Sequence, residues 1–218
     1  MNLESTNYNI EISKDFDDLT FGINNDIVSY GKTKTVLSLL PKCSSIAALI
    51  CGVRQMSCVH FVDAYLSPLP NHIVGFDDLS RKIFMRAEIR NSNLDKGADL
   101  TDQSLALVNF SRLPGDVPFQ YIPRKLGGYD SVINAFPLNP NTLITEWQAA
   151  NQKVYDHVSG GEENSARIIY VMIYGYEEED FSTMRPAQIW YHFMLYTNGK
   201  VTGNEIEGKV VNGLLQMK

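Results

Sequence analysis

An antiparallel sheet with one helix strapped across it, an α+β fold, is what this sequence predicts, and three observations predict it. Residues 82–90 (KIFMRAEIR) alternate Ile83, Met85, Ala87 and Ile89 against Lys82, Phe84, Arg86, Glu88 and Arg90, the period of a half-buried strand. Asn198-Gly199 lies between AQIWYHFMLYT and KVTG, and an Asn-Gly pair between strand-like runs signals a tight hairpin. Residues 143–158 (LITEWQAANQKVYDHV) place Ile144, Trp147, Val154 and Val158 on one helical face.

Taken in order, residues 1–80 read as an N-terminal elaboration packed on a main domain of residues 81–218. Ser44-Ser45 before IAALICGV suggests a capped, buried helix ending near Gly52. Residues 57–66 (SCVHFVDAYL) suit a strand or a helix, closed by a Ser67-Pro68-Leu69-Pro70 turn. After the strand at 82–90 comes a polar loop, then SLALVNF (104–110), read as a second, more apolar strand. Residues 113–141 are so rich in Pro, Gly and Asn that an ordered irregular region is expected there rather than a ladder. Asn141 or Thr142 is placed to cap the helix at 143–158, and Gly160-Gly161 to end it. Residues 166–176 (ARIIYVMIYGY) are apolar on both faces, as in the interior of a sheet. The strand at 187–197 follows an acidic run, Glu177 to Asp180, and a Met184-Arg185-Pro186 turn.

Composition narrows the partners. Hydrophobic residues make up 44% of the chain and charged ones 20%, the balance of a folded globular protein. Against 19 Lys and Arg stand 25 Asp and Glu, a net charge of -6. From Asp116 onward there are 8 basic and 12 acidic residues, so the C-terminal part carries no basic excess. A protein that grips phosphates carries a basic footprint, so a protein partner or self-association is favoured over nucleic acid. Cys43, Cys51 and Cys58 have no zinc-ligand spacing and read as small core residues of a reducing compartment. The N-terminus has no apolar signal core, and the most apolar stretch, 36–53, is broken by Pro41 and Lys42. A cytoplasmic protein, or one exported by a non-classical route, is expected, with no membrane partner.

Ile122-Pro123, Gly127-Gly128, Asn134, Pro137, Trp147, Arg185-Pro186 and Asn198-Gly199 occur in that order over about 80 residues, after a strand containing Arg86-Ala87-Glu88. In order and spacing they resemble the DNA/RNA non-specific endonucleases of the ββα-metal type, also called His-Me finger nucleases. The resemblance implies a ββα-metal-nuclease-like loop and helix on the sheet. Each matched residue has a scaffold reason as well: the glycines for a sharp turn, Asn134 for bonding nearby backbone, Trp147 for anchoring the helix.

The same resemblance places the catalytic groups, and the side chains there are unsuited to the chemistry. The general-base His aligns with Gln120, whose neutral amide takes no proton at pH 7. The Asp that opens the motif aligns with Val117, the metal-binding Asn with Leu143, and the helical Glu with Asn151. A hard cation requires oxygen ligands, which Leu143 lacks. The expectation is a pseudoenzyme with no metal and no cofactor, acting by binding or assembly. The alternative is an active metal-dependent nuclease or toxin domain using Mg²⁺, with ligands displaced onto Asp116, Asn139 or Asn141. His157 reads as a surface residue near a helix C-terminus and His192 as a sheet residue. His60 and Asp63 have a spacing too common to signify a site.

Overall fold

A computed structural model describes residues 59–212 apart from 65, 78, 110, 111 and 175–184. The helix expected near residues 44–52, the three cysteines and the acidic run at 177–180 lie outside the described residues. The elements are β1 His60–Asp63, β2 Ile73–Phe76, β3 Lys82–Arg90, α1 Asp102–Asn109, β4 Val117–Gln120, β5 Ala135–Leu138, α2 Thr145–Ser159, β6 Asn164–Ile173, β7 Gln188–Thr197 and β8 Lys200–Val211. Six strands form one sheet ordered β1-β2-β3-β6-β7-β8, every neighbouring pair antiparallel, while β4 and β5 make a separate ribbon. The class is therefore α+β, mostly antiparallel sheet with two α-helices among the described residues.

The sheet follows its residue pattern. In β3 the four alternate apolar residues are buried, and Phe84 is buried too, because on the opposite face it meets Phe61 edge-on at 5.5 Å. The central strand β6 buries both faces from Ile168 to Met172. Thr197 pairs with Lys200 across the Asn198-Gly199 turn, where both residues adopt positive φ, and β8 continues far past the short return strand read from the sequence. The boundary drawn at residue 80 falls between β2 and β3, which are paired strands of one sheet.

Two expectations are corrected. Residues 104–110, read as a strand, instead contribute to helix α1, and only Phe110 lies outside the described residues. Thr101 starts the helix by accepting Leu105 N at 2.8 Å, and Ser104 and Val108, one turn apart, are its buried face. The alternation of Leu105 and Leu107 suggested a strand, yet Leu107 is half exposed. The region 113–141 does contain a ladder, with Pro118 directly opposite Pro137 in the ribbon. In a two-stranded ribbon each strand has one free edge, so a proline can direct its missing N–H outward at no cost in pairing.

Helix α2 buries Trp147, Ala150, Asn151, Val154 and Val158. Trp147 meets Phe119, Phe136 and Tyr170 at 5.7, 6.1 and 5.8 Å and stacks on Tyr191 at 6.4 Å, joining ribbon, helix and sheet in one aromatic core. Gly160 is the C-cap as expected, but the expected N-cap is corrected: Ile144 holds that position without a side-chain cap, while the Asn139 side chain accepts Asn141 N and the Thr142 hydroxyl reaches Asn212. Among the described residues, no helix is long and apolar enough to cross a membrane.

Buried His72 sets a pH dependence. Its Nδ1 lies 2.7 Å from Ser67 Oγ, its ring meets Tyr129 edge-on, and burial pushes its pKa from 6.5 down to about 4. Between those values the unfolded chain takes up a proton that the folded chain refuses. Stability is thus retained above pH 6.5 and lost as pH falls towards 4, at up to about 1.4 kcal/mol per pH unit. Urea melts from pH 7.5 to 4.5 are expected to show that slope, and His72→Gln to reduce it. An unchanged slope in the variant would place the proton uptake elsewhere.

Candidate functional site

The site is built on the segment that joins β4 to β5. After Gln120 the chain turns through Pro123 and a single 3-10 turn, Arg124–Leu126, which ends at Gly127 with φ 85°. Gly128 passes so close to Ile122 that a Cβ there would lie 1.8 Å from the Ile122 carbonyl oxygen. The pair is therefore required twice over, once for its backbone angle and once for its lack of a side chain. Gly97, in the polar loop, has the same role: a Cβ would sit 2.3 Å from the carbonyl oxygens of Arg124 and Gly128. That approach lets Asp95 N and Ala98 N donate to Lys125 O and Gly128 O, so loop and turn lie side by side.

Asn134 fastens this arrangement from inside. It is fully buried; its Oδ1 accepts Ile122 N at 2.9 Å, and its Nδ2 donates to Ile122 O and Tyr129 O at 3.0 and 3.3 Å. Its own carbonyl accepts Tyr121 N. Asn212 does the corresponding work at the ribbon's other end, donating to Pro137 O and Pro186 O at 2.8 Å and accepting Asn139 N. Buried backbone groups of irregular chain have no ladder to pair them, and the two side-chain amides take its place.

Beside the turn opens a cleft of about 600 Å³, lined by Phe119, Gln120, Trp147, Gln148 and Asn151 with Arg124 and Lys125 beside them. Gln120 Nε2 donates to Ala98 O at 2.9 Å and Tyr129 O at 3.4 Å, so the amide is held as a strut between loop and turn. Asn151, one helical turn beyond Trp147, is buried, and its Oδ1 meets no donor. The two cations are engaged already. Arg124 pairs with Asp99 at 3.1 Å, while Lys125 donates to Gln152 at 2.5 Å and lies 4.2 Å from the Tyr155 ring centre. The cleft offers amides and aromatic carbon.

The residues aligned with catalytic positions do not all converge. Gln120 and Asn151 share this cleft with Trp147. Leu143 is 89% exposed and lines a different groove of about 780 Å³, together with Asn139, Asn141 and Trp147. Val117 is exposed at the start of β4. Asp116 is committed elsewhere: its Oδ2 accepts Arg185 Nε at 2.6 Å and Leu113 N at 3.1 Å in a buried ion pair. Asn139 forms a local turn with Asn141. His157 Nε2 lies 2.9 Å from Tyr196 O, and His192 Nε2 lies 3.2 Å from Glu205. His60 and Asp63 are exposed on β1.

The residues present do not fit the Mg²⁺ that the resemblance implies. A hard cation takes several oxygen ligands at once. Here the aligned ligand position is a solvent-facing leucine, and among the described residues no three His, Cys, Asp or Glu side chains come together. Asn212 and Gly97 escaped sequence reasoning. Asn212 lies in a run with no motif, and Gly97 stands alone in a polar loop, where one glycine signals nothing beyond a turn.

No protein-family profile matches the chain, and no curated protein does. Among solved structures it is similar to an extracellular endonuclease, with 11% identity over 75% of this chain and 94% of that one, at a TM-score of 0.45. It is also similar to an extracellular nuclease, with 12% identity over 71% of this chain and 92% of that one, at a TM-score of 0.40. Both TM-scores are low, and the reading of the site rests on its own residues.

Asn134→Ala strips partners from Ile122 N, Ile122 O and Tyr129 O together. Leaving buried polar groups unpaired costs about 1–3 kcal/mol each without simple additivity, so a loss on the order of 3 kcal/mol is expected in urea denaturation. Gln120→Ala, whose bonds lie nearer the surface, is expected to lose under about 1.5 kcal/mol. A reversed ranking would show that Gln120 rather than Asn134 holds the turn.

Proposed function

We propose that this chain is a catalytically degenerate relative of the non-specific endonucleases, a pseudoenzyme that acts by binding a protein partner or a second copy of itself. The observation that carries the reading is Gln120. The position aligned with the general base holds an amide whose nitrogen is spent on two backbone carbonyls, and an amide has no site basic enough to accept a proton from water. A missing general base alone costs about 10²–10⁴ in rate. Asp116, the nearest carboxylate in sequence, is bound to Arg185.

The cleft's electrostatics favour a protein over a polyanion. Arg124 is matched by Asp99, Lys125 is engaged by Gln152 and Tyr155, and the whole chain carries a net charge of -6. Nucleic-acid binding that works by counterion release requires free cations along the strand.

Purified protein is expected to leave plasmid DNA and RNA intact in Mg²⁺ or Mn²⁺, and melts with Mg²⁺ and with chelator to superimpose. Metal-dependent cleavage that disappears in Asn139→Ala or Asn141→Ala would establish an active nuclease with displaced ligands instead. Light scattering and binding to duplex DNA across a salt series separate the remaining classes. Sub-micromolar DNA binding that weakens steeply as salt rises would overturn the preference for a protein partner.

A further inference from the structure

A further cavity, of about 250 Å³, lies where α1 crosses the β4–β5 ribbon, and its chemistry differs from that of the cleft. Its walls are Phe76, Leu107, Val108, Ile133 and Pro137, and its polar groups belong to Lys82, Ser80 and Tyr174. Leu107 and Val132 leave exposed apolar surface at its edge.

Lys82 supplies a charge that no carboxylate matches among the described residues. Its Nζ donates to Val132 O at 2.6 Å, to Ala135 O, and weakly to Ile133 O at 3.4 Å, and it lies 5.2 Å from the Tyr121 ring centre. These carbonyls satisfy its hydrogens without cancelling its charge, and no carboxylate pairs with it among the described residues. The neighbouring Arg81, stacked over Tyr174 at 4.7 Å, is matched one to one by Asp77 at 2.8 Å. Tyr174 OH is occupied as a donor to Lys82 O. Burial pushes the Lys82 amine down to about 7, because desolvation disfavours the charged ammonium.

An anion entering the cavity would remove that penalty, and the walls specify what the anion must carry. An inorganic anion would bring its charge but leave the apolar surface wet. An aliphatic carboxylate would meet both demands, its head on Lys82 and its tail among Leu107, Val108 and Ile133. We propose that this cavity is a binding site for a short-chain aliphatic carboxylate, seated on Lys82 and separate from the Gln120 cleft.

Thermal melts and calorimetry with hexanoate, acetate and hexylammonium test it. Hexanoate is expected to raise the melting midpoint saturably, acetate to act far more weakly, and hexylammonium not to act. Lys82→Met is expected to weaken hexanoate binding about tenfold or more, through loss of the positive charge beside the carboxylate. Gln120→Ala is expected to leave it unchanged. Should Lys82→Met fail to fold, reductive methylation of the wild-type chain read by peptide mass serves in its place. Hexanoate should then protect Lys82 selectively over Lys153 and Lys200. No saturable hexanoate effect, equal response to hexylammonium, or unprotected Lys82 would each overturn the proposal.

Discussion

Buried Asn134 is the constraint on which the architecture of the site depends. The segment between β4 and β5 is irregular chain laid over an aromatic core, and irregular chain in such a place carries backbone donors and acceptors with no ladder to receive them. One amide meets three of those groups and its own carbonyl meets a fourth. With Asn134 in place, the end of β4, the Gly127-Gly128 turn and the start of β5 have a single relative position. Gln120 and the polar loop then take theirs from the turn, through Ala98 and Tyr129.

The ribbon must also be held to the sheet, and this is done at three chemically different points. Trp147 packs between the ribbon's Phe119 and Phe136 and the sheet's Tyr170 and Tyr191, an apolar contact that tolerates small shifts. Asn212, at the end of β8, fixes position by bonding the carbonyls of Pro137 and Pro186 at once. The Asp116–Arg185 pair closes the third point. A buried ion pair contributes little net stability against a well-packed apolar replacement, yet breaking one partner is costly, so the pair ties the start of β4 to the chain entering β7.

What could be read from the sequence follows the range of the interactions involved. The strand at Lys82–Arg90, the Asn198-Gly199 hairpin and the Trp147 helix are written in local periodicity and turn chemistry, and all three stand. Residues 104–109 were misread because the apolar alternation of Leu105 and Leu107 is a strand signal only when one face is covered, and here the surface contact is made by Ser104 and Val108. The β4–β5 ladder was missed because proline argues against strands in general, although not against the free edge of a ribbon. Asn212, Gly97 and Lys82 were beyond reach for a common reason. Each acts on backbone 26 or more residues away, outside any local window.

This division separates the groups that build the site from the groups that could do chemistry in it. Asn134, the paired glycines and Trp147 stabilise the chain whether or not any substrate reacts, because their partners are backbone groups and core rings. A catalytic base is the opposite case: it needs an open lone pair at the cleft surface, and that openness contributes nothing to folding. Gln120 resolves the conflict in favour of structure. By donating to Ala98 and Tyr129 it turns the position into a strut between loop and turn, so placing a histidine there would remove those bonds as it supplied a base. The same reasoning applies to Asp116, whose Oδ2 cannot serve a metal without giving up its bonds to Arg185 Nε and Leu113 N. Side chains at such positions belong to the packing, and a substitution that frees one of them for chemistry costs stability first.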